Sequence, residues 1–494
     1  MTAEPDGPTL TDSAGRGGIN AQDGFDYQTW DAIARIPGWL KQQHFDGVLF
    51  EGLEDFEARY FAPHAPHGHL LDRFQAKSGT LQKNDLRDVF DRFSAFATSN
   101  PGVARVQTLV TPALPPRLEW LGRDPDRVRR ARPFYRPFPA VNGASDAKLR
   151  GDLVGAFSSP IGDFIADNVD IDLRPIANRG VAQAALVAAL FNAFPDLDLT
   201  GRQTAAAFET LVRLIGASRG TMLTRADLFG ALRDATSGAI TDDQTLRLNV
   251  RSDGTHPESS AVEIDATAYT GADNTYPPSA QWRADLLDPL SATASWARGH
   301  GRSRVQLSGS YRISTAFVLG WAFRAASGFE LAIPTRGGPW NTDDRPALST
   351  ASPVWDIRSP SRARGRLAIA IGVLRDPTAE VVRALGIEPE DLFVAFLPAP
   401  VTDAREAQSS VETVKTAVLA ALRTTGAAAI DVFFAGPAAL AVALGHRWNA
   451  LPPTQLYEFM PAERRYVQTA LLLDRTEPTK LLPGVGQLSP RIRP

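Results

Sequence analysis

The sequence predicts an α/β protein of several domains, and three observations carry that prediction. Its 494 residues exceed what one hydrophobic core usually organises. Near the N-terminus the apolar pattern orders a helix, three strands, a helix and a strand. From residue 282 onward, short apolar runs rich in β-branched residues alternate with helical stretches of small apolar residues, the signature of a mostly parallel sheet with helices on its faces.

The N-terminal elements come first. Residues 17–28, GGINAQDGFDYQ, open a helix that continues as TWDAIARIPGWLKQQ. Strands follow at DGVLFEG, DFEARYF and LDRFQAK, then a helix at NDLRDVFDRFSAFATS and a strand at RVQTLVTP. Within this stretch, Asp55 precedes the second strand, and Gln75 and Lys77 follow one hairpin later. Their i, i+2 spacing puts Gln75 and Lys77 on one face of a strand. A carboxylate and an amide oxygen can hold a hard cation, and a nearby ammonium can steady charge on a phosphate. Solvated charges on an ordinary hairpin give the same triplet, so the spacing alone leaves both readings open.

A helical region is expected over 141–251. Thr224 with Asp227 three residues on marks a helix start, and GVAQAALVAALFNAF is apolar enough for a buried helix. Residues 252–281 are rich in polar turn formers and read as a linker or insertion, and residues 476–494 as a tail. Over 282–475, two strand-to-helix turns look alike. LSGSYRISTAFVLGW carries Gly309 and Gly320, and FAGPAALAVALGH carries Gly436 and Gly445 at comparable positions. A duplication of this kind would aim two helix N-termini at a crevice by the strands' carboxyl ends, where phosphate is favoured. Pro437 suits a first helical position. Close backbone packing would also demand such glycines.

Composition narrows the chemistry. With 52 basic and 55 acidic residues the net charge is -3, so any nucleic-acid contact must rest on local positive charge. Cys is absent, which excludes disulfides, thiolate zinc sites and cysteine nucleophiles and suits a cytoplasmic protein. MTAEPDGPTL lacks the features of a signal peptide, and runs such as AALVAALF are too short to span a bilayer, so no membrane partner is expected. The segment 117–138 concentrates arginines among Trp120, Phe134 and Tyr135. Arg127, Arg129 and Arg130 are its candidate DNA contacts, against the alternative of a salt-bridged helix. His64, His67 and His69 cluster on a turn, where Pro and Gly argue against a specific metal site. No hydrolase triad and no GxxxxGK phosphate loop is present.

The order GG, GFDYQ, EGLED and QAK resembles the N-terminal nuclease domain of CD-NTase-associated SAVED endonucleases, effectors of the bacterial anti-phage systems called CBASS. These belong to the PD-(D/E)xK superfamily, with a restriction-endonuclease-like αβββαβ core. The resemblance implies an active centre of Asp55, Gln75 and Lys77, with Asp55 and Gln75 on Mg²⁺ or Mn²⁺ and Glu51 as a further catalytic candidate. Glu54 and Gln28 are secondary. GSYRISTAFVLGWAF, PWNTDD, DVFFAGPAALAVALGHRWNAL, QLYEF and RRYV look like the SAVED domain, two CARF-like Rossmann halves that bind cyclic oligonucleotides. On this basis residues 17–140 are expected to form the nuclease domain and 282–475 the SAVED domain.

Candidate ligand contacts in the SAVED region are Ser308, Gly309, Ser310, Arg312, Arg336, Trp340, Phe434, Gly436, Pro437 and Tyr457. The implied function is a double-stranded DNA endonuclease switched on by a cyclic oligonucleotide, most simply a cyclic trinucleotide, through self-association. The alternatives are a non-catalytic sensor or scaffold and a constitutive restriction-type nuclease.

Overall fold

In the computed structural model, which describes residues 13–52, 54–135, 137–252, 261–271, 275–344, 353–362 and 365–473, α1 (Ser13–Lys41) leads into β1 (Phe45–Phe50), β2 (Phe56–Phe61) and β3 (His69–Ala76), followed by α2 (Lys83–Ser99) and β4 (Ala104–Thr111). The αβββαβ order is present as the apolar pattern required. The chain divides into two compact units, with the change between Asp243 and Gln244.

The first unit adds α3 (Asp124–Phe134), α4 (Pro139–Phe157), α5 (Ser159–Asn168), β5 (Val169–Leu173), α6 (Arg179–Ala193), α7 (Gly201–Ala217), β6 (Met222–Thr224) and α8 (Arg225–Ala235). Its six strands lie in the order β5-β4-β3-β2-β1-β6. β1, β2 and β3 are antiparallel neighbours, whereas β3, β4 and β5 run parallel. One core cluster joins α1, α6, α7 and α8 to the sheet around Trp39, Phe45, Phe56 and Phe74. Phe56 stacks on Phe74 with ring centroids 4.7 Å apart. A second cluster holds α2, α4 and α5. Thr224 caps α8 in a reciprocal box with Asp227, as its spacing predicted. The expected buried helix is α6, but it buries one stripe only, Ala182, Leu186, Leu190 and Ala193, while Val181 and Phe191 are exposed. High mean apolarity there reflects small residues on an outward face rather than burial all round.

The second unit holds two sheets. The first comprises β7 (Thr245–Arg251), β8 (Val262–Asp265), β9 (Arg304–Gly309), β10 (Glu330–Ile333) and β11 (Trp340–Asn341), ordered β11-β10-β9-β7-β8. α9 (Ser279–Trp282), α10 (Asp288–Gly299) and α11 (Ile313–Ala322) belong to this half. β7, β9 and β10 are parallel. The second sheet is built from β12 (Asp356–Arg358), β13 (Arg366–Val373), β14 (Phe393–Leu397), β15 (Ala429–Ala435), β16 (Thr454–Met460) and β17 (Arg465–Leu472), with α12 (Thr378–Leu385), α13 (Ala404–Thr425) and α14 (Ala438–Arg447) between them. Its order is β12-β14-β13-β15-β16-β17. The four inner strands are parallel, and both edge strands are antiparallel. Two Rossmann-like sheets therefore form the second unit, the first of them drawing β7 and β8 from before residue 282.

Two sequence-based boundaries are corrected. Residues 245–251, assigned to the helical region, form β7, which lies between β9 and β8. The segment 252–281 is not simply a linker, since it contributes β8 with buried Val262 and Ile264 and the buried Tyr269. The Tyr269 hydroxyl donates to Asp285 at 2.8 Å. Turn-forming residues flank this short alternating strand and hide its period. The expected tail lies outside the described residues.

The duplicated glycines meet. A Cβ on Gly320 of α11 would come 1.9 Å from the Val442 carbonyl oxygen, and one on Gly445 of α14 would come 2.1 Å from that of Phe317. Val442 precedes Gly445 by three residues, as Phe317 precedes Gly320. The two helices thus cross backbone to backbone at equivalent points of the two halves.

Candidate functional site

Asp55, Gln75 and Lys77 lie at one end of the first unit's central strands, β2 and β3. The antiparallel register pairs Phe56 with Phe74, so the next step sets Asp55 beside Gln75. Asp55 Oδ2 accepts the Ala76 backbone N–H at 2.6 Å and a hydrogen bond from Gln75 Nε2. The Lys77 backbone N–H donates to the Val110 carbonyl at 2.8 Å, which keeps Lys77 in the β3–β4 ladder and on the face of Gln75. Burial raises the Asp55 pKa, opposed by the Ala76 N–H, the Lys77 ammonium, Gln75 and Arg92. Asp55, opposite Gln75, and Lys77, two residues beyond it on the strand, therefore fall on one side of the sheet.

Two arginines not singled out from the sequence organise this centre. Arg73, 2 % exposed, lies two residues before Gln75 on the same strand face. It donates to Glu57 at 3.0 Å, Gln107 at 3.0 Å and Glu54 at 3.3 Å, and lies over the Phe96 ring. Its period-two spacing with Gln75 and Lys77 was the signal that could have found it. Arg92 of α2 donates from Nη2 to Gln75 Oε1 at 2.7 Å and stands 4.0 Å from Glu54; nothing local in the sequence marks it. Glu54 is consumed by these arginines, and burial raises its pKa. Glu51 is less suited to catalysis than expected. It sits in the β1–β2 turn at φ 56°, with its carboxylate 3.3 Å from Arg219.

Past the end of β3, on the side of α1, a cleft of about 730 Å³ is lined by Tyr27, Trp30, Ser78, Gly79 and Pro112. Helix α1 is fixed along it by the Tyr27 hydroxyl, which donates to the Arg174 carbonyl at 2.9 Å. The fully buried Asp31 holds Arg35 at 2.7 Å. Among the described residues no group of three or more Asp, Glu, His or Cys side chains could hold a metal ion. The donors present are oxygens, the Asp55 carboxylate and the Gln75 amide. That sparse, hard set fits Mg²⁺ or Mn²⁺, which keep several waters, and does not fit zinc.

The arginine-rich segment is largely spent on the protein itself. Arg129 Nη1 donates to the Ile165, Ala166 and Val169 carbonyls, closing the C-terminal end of α5, and its other nitrogen pairs with Asp170. Arg130 pairs with Asp126 one turn earlier at 2.8 Å. Arg129 and Arg130 therefore each pair with a carboxylate, Arg130 from a side chain that is 81% exposed. Arg127 lies on the same helix, α3. At the β2–β3 turn, His69 Nδ1 faces Arg59 at 3.0 Å, an arrangement unfavourable to a cation.

In the second unit, Ser308, Gly309, Ser310 and Arg312 gather where β7 and β9 end. Ser308 Oγ lies 3.2 Å from Asn249 Oδ1, and the Ser310 and Ser252 hydroxyls are 3.1 Å apart. Gly309 has φ +94°, and a Cβ there would lie 2.1 Å from the Val250 carbonyl oxygen. Arg312 Nε donates to the Thr270 carbonyl at 2.6 Å. Asn249 and Ser252 were missed because β7 was not read as a strand.

The first turn of α11 already has an acceptor. Glu458 of β16 accepts the Ser314 N–H at 2.6 Å, and the Ser314 hydroxyl bonds Thr469 at 2.7 Å. Phe434, Gly436 and Pro437 stand at the end of β15, and the Phe434 ring occupies the space a Gly436 side chain would need. Tyr457 and Trp340 are packing residues. Tyr457 stacks on Phe433 at 4.3 Å with its hydroxyl 3.4 Å from Asp431, and Trp340 pairs with Ile333 on the edge strand β11, 9 % exposed. Arg336 is exposed in the loop between β10 and β11.

With this geometry in place, the comparisons with known proteins are specific. Residues 289–472 match the model of the SAVED family, described as a SMODS-associated sensor domain fused to various effectors. CD-NTase-associated protein 4 of Moraxella osloensis is 22% identical over 486 residues, covering 94% of this chain and 99% of its own length. The protein of that name from Acinetobacter sp. (strain ATCC 27244 / 9458) is 23% identical over 478 residues, with the same coverage. Among solved structures, the Acinetobacter baumannii Cap4 SAVED/CARF-domain containing receptor with the cyclic trinucleotide 2'3'3'-cAAA superposes with a TM-score of 0.77 at 20% identity, over 91% of this chain and 98% of that one. The Moraxella osloensis Cap4 receptor gives 0.70 at 19% identity, over 92% and 100%. At these identities the structures establish a shared fold.

Proposed function

We infer, from a chain that carries a SAVED domain at residues 289–472 and resembles CD-NTase-associated protein 4 over 94% of its length, that this protein is a CBASS effector. In this reading the second unit captures a cyclic oligonucleotide, and the first is a restriction-endonuclease-like domain that then cleaves double-stranded DNA. The observation that carries the enzymatic half is the convergence of Asp55, Gln75 and Lys77. Asp55 and Gln75 would hold Mg²⁺ or Mn²⁺, which supplies a polarised water and neutralises charge on the phosphate. Asp55 presents a carboxylate partly stripped of solvent, which strengthens its attraction for a cation. Lys77, on the same strand face as Gln75, would stabilise charge developing on the phosphoryl oxygens.

For the sensing half, the supporting observation is a pair of Rossmann-like sheets whose helices cross at equivalent glycines, together with a solved relative that carries a cyclic trinucleotide. A cyclic trinucleotide is the ligand proposed here, with Ser308, Ser310, Arg312 and Arg336 as contacts. A ligand activates only through its different affinity for two states, and self-association is the state change proposed.

Replacing Lys77 by Ala tests the assignment. Divalent-dependent plasmid cleavage in the presence of cyclic trinucleotides should fall by at least roughly a hundredfold, while calorimetric ligand binding stays unchanged. Loss of both activities together would mean that the two domains are misassigned, and full cleavage without ligand would favour a constitutive nuclease.

A further inference from the structure

We propose that Arg92 is a latch on Gln75, holding the resting active centre in a form that disfavours the cation; this rests on the nuclease reading above. The argument comes from donors and acceptors. Arg92 can only donate, so the Gln75 atom facing it at 2.7 Å must be the amide oxygen. Nε2 is thereby turned toward Asp55, where it donates to Oδ2. An N–H cannot ligate Mg²⁺ or Mn²⁺, so the group expected to supply an oxygen presents the wrong atom.

Turning the amide over would set its oxygen against the Asp55 carboxylate, which is tolerable only with a cation between them. It would also set its NH₂ against the guanidinium, donor against donor. Cation entry and release of Arg92 are therefore coupled. The guanidinium has somewhere to go: its side chain is 48% exposed, and Glu54 lies 4.0 Å away. A phosphate entering beside Lys77 offers a stronger acceptor than a neutral amide, so substrate would release the latch. Glutamine at position 75 makes such a device possible, because a carboxylate would keep an oxygen for each side.

Mn²⁺ titration of the full chain without DNA, followed by electron paramagnetic resonance, tests this in a double-mutant cycle. Arg92→Met keeps the aliphatic stem and removes the donors. It should tighten Mn²⁺ binding about five- to tenfold with Gln75 present, in line with loss of one charge-assisted hydrogen bond at a half-exposed site. In a Gln75→Ala background the gain should shrink to what removal of a positive charge alone produces. Gln75→Glu provides the same comparison with the side-chain volume kept.

Equal gains in every background would overturn the latch and leave a simple field effect. Weaker binding in Arg92→Met would overturn it too, marking Arg92 as a support of the site. If no variant binds Mn²⁺, the nuclease reading and the latch fall together, whereas binding without coupling removes the latch alone.

Discussion

At the scale of single residues, burial sets how strongly each charged group feels its neighbours. Asp55 is partly desolvated, whereas Arg129 and Arg130 pair with neighbouring carboxylates. Glu458 is the most consequential structural charge. It caps α11 from β16, and burial raises its pKa against the Ser314 hydrogen bonds and Arg312. The folded protein then binds this proton more tightly than the unfolded chain does. Stability is lost as pH climbs from the ordinary glutamate value through the raised folded one, and ionised Glu458 is the less stable form. Glu458→Gln keeps an oxygen for the Ser314 N–H, so it should gain stability relative to the parent as pH rises from about 5 to about 8. Urea unfolding at each pH measures this, and a difference that does not change with pH would refute it. The triplet Asp55, Gln75 and Lys77 was legible because strand alternation is local. Arg92 was not, since its contact depends on where a separate helix packs.

Among the elements, β3 carries the candidate site and the α11–α14 pair joins the two halves of the second unit. On β3 the alternation of Arg73, Gln75 and Lys77 places a buried organiser, a ligand group and an ammonium in sequence along one face. At the helix pair, the like spacing of Gly320 and Gly445 was visible in the sequence with two explanations. The structure selects close packing, because either Cβ would overlap a carbonyl oxygen of the partner helix. Gly320→Ala should destabilise the second unit by about 1–3 kcal/mol, the usual cost of overpacking. Gly151→Ala on α4, where a Cβ meets nothing within 4 Å, should be neutral or stabilising by up to about 1 kcal/mol. Guanidinium unfolding compares the two, and equal effects would show that the crossing tolerates a methyl group.

For the whole molecule, two units with their own sheets and cores imply that unfolding is not a single two-state event. A cyclic trinucleotide present at a hundredfold excess over its Kd should stabilise the unit that binds it by about 2.7 kcal/mol, raising one melting transition by roughly 5 to 10 °C. Differential scanning calorimetry reads this directly, and the transition that rises with ligand should be the one that Gly320→Ala lowers. Ligand acting on the other transition would sever the link between the Rossmann pair and sensing. No described helix is long and apolar enough to cross a membrane.

What the sequence determined by itself is whatever local periodicity encodes: the αβββαβ order, the alternating C-terminal half, the cap at Thr224, and the shared face of Gln75 and Lys77. Apolar period and capping chemistry act within a few residues, so they survive without tertiary context. Only the folded chain decided that residues 245–251 join the second unit's sheet, that α6 buries one stripe, that Arg129 closes α5 and pairs with Asp170, and that Arg92 holds the Gln75 amide. Each depends on pairing between segments far apart in sequence, where strand register, helix packing and ion pairing choose partners that no local pattern names.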